Sequence, residues 1–157
     1  MSVVAHDQDF FLWTRQQAEA LRRLAETRPN AEIDWPNLIE EVEDLGNEQE
    51  HAIVSHFIVT LIHLFKLSYV SNPEPRRHWT VEIDAQRDSL QRRMRSNPSL
   101  RARSEEILND TWRSARRRLV LEFGRGAAIP GDCPFTLSQV LDDGWFPEPP
   151  TGERSAE

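Results

Sequence analysis

The residues of this chain best suited to chemistry are the pair Glu48 and His51 in a Glu-x-x-His spacing, the acids Glu43 and Glu50, the histidine His63 and the single cysteine Cys133. Glu-x-x-His on a helix face is half of a di-iron or di-manganese carboxylate site, which draws its ligands from two such motifs on separate helices. No partner motif follows. Glu50 and His63 fall on one helix with roughly 20 Å between them along its axis, too far to share an ion. Cys133 precedes Pro134 in a loop with no histidine nearby in sequence to lower its pKa, so it reads as a packing residue. Glycine-rich phosphate loops, G-x-S-x-G and Walker patterns are absent. The sequence therefore predicts no metal, no cofactor and no catalytic residue, and leans away from an enzyme.

Charge is the other possible chemistry. The net charge of -7 conceals three blocks: an acidic stretch to about residue 60, a basic stretch over 61–125 and an acidic end. Such blocks either match each other inside the fold or offer charged faces to partners. Glu40, Glu41, Asp44 and Glu48 form one candidate flank, and Arg92, Arg93, Arg113, Arg116 and Arg117 another. We expect a protein-interaction module, acting as an adaptor or by homo-oligomerisation. The alternatives are a metal-binding helical-bundle enzyme, which the lone Glu-x-x-His disfavours, and nucleic-acid binding through the arginines of the third and fourth helices, which phosphate neutralisation would favour. Against nucleic-acid binding, the chain is acidic overall and no helix-turn-helix or aromatic-interleaved signature accompanies the arginines.

The elements that must position these residues are helical. Asp34 before Trp35 and Pro36 marks a helix start. From there Leu38, Ile39, Val42, Gly46, Ile53, Phe57, Ile58, Leu61, Leu64 and Phe65 share one face, predicting a helix over 35–71 with Gly46 inside it. A break at Gly46 is the open alternative, since glycine favours helix C-termini. Ahead of it, Asp7 caps a first helix over 8–26 that Pro29 ends. After the Asn72-Pro73-Glu74-Pro75 breaker, Trp79, Ile83, Leu90 and Met94 predict a third helix over 77–95. Asn97 and Pro98 open a fourth, running to Gly124. A short helix near 137–141 and a docking segment of Cys133, Phe135, Trp145 and Phe146 follow.

The expected architecture is a single all-α domain over 1–146, a bundle of four principal helices with a long central one and a C-terminal cap, followed by a disordered tail over 147–157. Three polar groups fall at helix interfaces: Glu50, expected to pair with an arginine or to cap a helix, and His63 with Gln86, expected to meet across the second and third helices. With no charged-then-apolar leader and no apolar run long enough to span a bilayer, we expect a cytoplasmic protein with no membrane partner.

Asp9-Phe10 to Trp13, Asp34-Trp35 through Leu45-Gly46, Leu61-Ile62-His63-Leu64-Phe65-Lys66, Trp79 with Ile83 and Gln86-Arg87, Pro98-Ser99-Leu100, Ala115-Arg116, and Cys133-Pro134 before Leu141-Asp142 follow one another in an order that resembles the bacterial domain-of-unknown-function 29 family. The resemblance covers nearly the whole chain. It departs at Leu67, where an aromatic is usual, at His78 in place of serine, and at Gly144-Trp145-Phe146. It implies an all-helical bundle in a bacterial protein and no established activity.

Overall fold

Trp35–Tyr69 is one unbroken helix. The structure, a computed structural model, describes residues 2–151. Part of the tail expected to be disordered, residues 152–157, lies outside the described residues. Six helices and no strand are present among them: α1 (Phe10–Thr27), α2 (Trp35–Tyr69), α3 (Pro73–Ser96), α4 (Pro98–Arg101), α5 (Ser104–Phe123) and α6 (Leu137–Leu141). The all-α architecture of four principal helices, with α2 the long central one, is as the hydrophobic periodicity predicts.

Several boundaries differ, each for a local reason. The N-cap of α1 is Asp9, whose carboxylate accepts from Leu12 N at 2.9 Å, and not Asp7. A turn closed by Gln8 N and Asp9 N on Ala5 O occupies the preceding residues. Asp34 does cap α2, taking the Asn37 amide N–H at 3.4 Å and its side-chain Nδ2 at 2.7 Å. α3 begins at Pro73, four residues before expectation, because both prolines of the breaker sit in the first turn, where no N–H is needed. The expected fourth helix is two. A turn at Ala102 and Arg103 separates α4 from α5, and Asn97 makes no side-chain cap on α4. α5 ends at Gly124, whose φ of 87° suits glycine alone.

The chain packs as two compact units. Met1–Ile53 with Arg92–Arg103 forms the first, and Val54–Gln91 with Ser104–Glu157 the second. In the first unit, α1 and the start of α2 form an antiparallel hairpin. Gly46 is what lets them approach: a Cβ there would run into Thr14 Oγ1 and come within 3.3 Å of Thr14 Cβ. Glycine is thus retained inside a helix despite a propensity cost of about 1 kcal/mol.

The base of the same unit is a buried polar knot. Asp9 caps its own helix and also accepts from Ser99 N at 2.6 Å and Ser99 Oγ at 2.9 Å, so one carboxylate serves two helix starts. Asn97, fully buried, accepts from Phe11 N at 2.9 Å and donates to Arg93 O at 2.8 Å. The cap expected of Asn97 on its own helix is therefore spent on α1, and Asp9 takes over at α4.

The second unit holds the larger core. Phe57, Ile58, Leu61, Leu64, Phe65 and Leu67 from α2 are buried, with Ile83 and Leu90 from α3, Ile107, Leu108, Trp112, Ala115 and Leu119 from α5, and Ile129, Phe135 and Val140 beyond it. By length and composition α2 is apolar enough to cross a membrane. A little under half of that apolar stretch is buried, the α2 side chains just named included, while Val54, Val59 and Ile62 stay part-exposed.

Candidate interaction surfaces

The interface polar groups come first. Glu50 is paired with Arg103 at 3.2 Å, the first of the two roles expected of it. His63 and Gln86 do not meet. His56 Nδ1 lies 2.6 Å from Gln86 Oε1, while His63 Nδ1 is 2.7 Å from Val59 O on its own helix. The correction follows from the start of α3: counting thirteen residues back from Tyr69 and thirteen forward from Pro73 reaches His56 and Gln86. With α2 running to 71 and α3 starting at 77, Gln86 would have come to the level of Ile62, next to His63.

Of the acidic flank, Glu40, Glu41, Asp44 and Glu48 are all exposed on α2 in the first unit. The arginines divide. Arg92 and Arg93 belong to the first unit, where Arg93 donates to Gln49 Oε1 at 3.1 Å. Arg113, Arg116 and Arg117 belong to the second and lie together on α5, at positions i, i+3 and i+4 of one helix face.

These three, with Arg125, line a cleft of about 940 Å³ between α5 and the loop that follows it. The loop is fixed over the helix by donors to its carbonyls. Arg116 Nε reaches Pro130 O at 2.9 Å, its Nη2 reaches Ile129 O at 3.4 Å, and the indole of buried Trp112 donates to Gly131 O at 3.1 Å. Arg113, Arg117 and Arg125 carry no ion pair or hydrogen bond among the described residues. Asn109 and Ser114 add uncharged donors, and Asp132 is the one acid of the lining. Cys133 also lines it. Burial pushes its thiol up from the usual range, and it donates to Phe135 O at 3.3 Å, both of which suit a packing group.

Arg87, which the sequence marks only as part of the Gln86-Arg87 pair, has a structural role of its own. It is fully buried in the second unit, with Nε on Val140 O at 2.8 Å, and Nη2 on Gln139 O at 2.9 Å and Trp145 O at 2.8 Å. Its guanidinium stacks 4.9 Å from the Phe146 ring, and burial lowers its pKa. It thereby satisfies carbonyls at the end of α6 that no helical N–H can reach. The signal was available: Ile83, Arg87, Leu90 and Met94 occupy one helical stripe, so an arginine stood on the core face. The loop arginine Arg125 gave no such signal, because its approach to α5 is tertiary. Among the described residues no group of three His, Cys, Asp or Glu is placed to hold a metal ion.

Among curated proteins none matches this chain. It is similar to the crystal structure of an alpha-helical protein of unknown function from Rhodospirillum rubrum, with 21% identity, a TM-score of 0.69, and coverage of 92% of this chain and 93% of that one. At that identity the likeness speaks for the fold alone. Residues 5–146 match the domain of unknown function DUF29, nearly the whole length, and the chain belongs to that family.

Proposed function

We propose that this chain is a non-enzymatic protein-interaction module that pairs with a second copy of itself through the α1–α2 hairpin. One observation carries the reading: between residues 19 and 45 Trp35 alone is buried. Two helices so thinly packed bury a single stripe between them, whereas helical domains normally close that stripe with further helices. Leu24, Leu38 and Leu45 are 44%, 41% and 46% exposed. The contacts Arg22–Glu43 and Arg15–Asn47, each at 2.5 Å, occupy one side of the hairpin. Leu24 follows Arg22 by two residues and Leu45 follows Glu43 by two, so each leucine points about 200° round its helix, towards the other side.

Charge names the occupant. Residues 35–48 of α2 carry five acids and no base, while α1 and its end carry four arginines against Glu19 and Glu26; with Arg15 and Arg22 engaged inside the hairpin, Arg23 and Arg28 are left to face a partner. A two-fold copy that lays its α1 across α2 sets leucine on leucine and arginine against Glu41 and Glu48, closing a four-helix bundle by an isologous contact. The test is sedimentation velocity over a wide concentration range on the native chain and on Leu38→Glu with Leu45→Glu. A native dimer that the double variant makes monomeric supports the reading. A native chain that stays monomeric throughout, or a variant that still dimerises, sinks it.

A further inference from the structure

The arginine cleft of the second unit is unused by self-pairing through the hairpin, and its chemistry is specific. Three guanidiniums without a carboxylate partner, on Arg113, Arg117 and Arg125, surround one concave space in a chain whose net charge is -7. Bringing like charges together costs energy unless an anion neutralises them, and Asp132, the one acid of the lining, sets a single negative charge against four guanidiniums. The cleft is also built in advance. Arg116 and Trp112 hold carbonyls 129, 130 and 131 of the loop, so its second wall does not have to form when a ligand arrives.

Its volume lies in the range of small-molecule sites and its lining is rich in donors. Guanidinium forks match the oxygens of phosphate, and three of them suit an anion bearing several phosphate groups better than a single carboxylate. Trp112, the one aromatic of the lining, is 3% exposed and offers no stacking platform for successive bases of a strand. We infer that the cleft between α5 and the 124–133 loop binds the linked phosphates of a small oligophosphate, such as those of a nucleoside triphosphate.

The experiment is calorimetric titration of the full chain, at low ionic strength, with inorganic tripolyphosphate, with a nucleoside triphosphate and with a single-stranded decanucleotide. Both small ligands are expected to bind. Arg113→Glu with Arg117→Glu should weaken each by about tenfold or more, while Arg118→Glu, on the same helix outside the cleft lining, should change affinity by less than about twofold. Arg125→Gln, a loop change that leaves every helix intact, should weaken binding in the same direction, and thermal melts of each variant check that the fold is kept. Four results would overturn the inference: absence of binding by both small ligands, equal weakening by Arg118→Glu, indifference to the cleft variants, or binding of the decanucleotide alone. The last would make the α5 face a polynucleotide surface instead.

Discussion

The two units use arginine and leucine in opposite ways. In the second, the apolar side chains of α2 vanish into a core fed by α3, α5 and α6, and an arginine, Arg87, is buried so completely that it acts as a pin between helix and C-terminal segment. In the first, leucines of α1 and α2 stand half exposed while arginines reach across the hairpin surface to Glu43 and Asn47. A hairpin of two helices has no third surface to cover its flanks, whereas the second unit has four elements to share one core. The first unit is held by close backbone approach at Gly46, by the Asp9, Asn97 and Ser99 knot at its base, and by a smaller apolar set, Ala18, Trp35, Ile53, Met94 and Leu100.

The largest effect should come from the pin. Arg87→Ala leaves three carbonyls unpaired in a buried site and is expected to cost about 3–5 kcal/mol, read as a fall in the denaturant midpoint. Arg87→Lys should recover little, because an ammonium cannot reproduce the fork geometry. If Arg87→Ala unfolded no more easily than the native chain, the contrast between a pinned core and a surface-tied hairpin would fail.

A smaller loss is expected where the hairpin helices touch. Gly46→Ala forces Cβ against Thr14 and should cost about 1–3 kcal/mol. Combining it with Thr14→Ala removes the Oγ1 clash, so the double variant should be less impaired than the sum of the two single changes. Strict additivity would mean that α1 and α2 are not held apart by this contact.

The finest comparison is by amide hydrogen exchange. Amides of 19–27 and 36–45 should exchange faster than those of 57–67, since few buried contacts oppose local opening. Their protection should rise with protein concentration if copies pair through the hairpin. Equal, concentration-independent protection in both stretches would remove the distinction.

Much of this molecule was legible from local rules. The apolar period across Gly46 showed α2 to be continuous, the carboxylate of Glu50 on an apolar face called for an arginine or a helix to cap, and glycine at 124 marked the end of α5. Each rests on spacing within about one or two turns, where sequence distance and spatial distance agree. The failures lie where a side chain had two possible customers. Asn97 was expected to cap its own helix and caps α1, while Asp9 serves both helix starts, because buried amides take whichever acceptor the packing brings nearest. His56 rather than His63 meets Gln86 because α3 begins four residues and α2 ends two residues earlier than expected, which together move the facing level by nearly two turns.

What the sequence determined by itself, then, is the set of helices, the stripes they bury and the charge blocks they carry, all properties of residues close along the chain. The tertiary structure alone decided that Arg113, Arg116 and Arg117 share a cleft with Arg125, that Arg87 closes the end of α6, and that Leu24, Leu38 and Leu45 are left uncovered. Those outcomes depend on which surfaces meet, and a periodic pattern states that a face is apolar or charged without stating what lies against it.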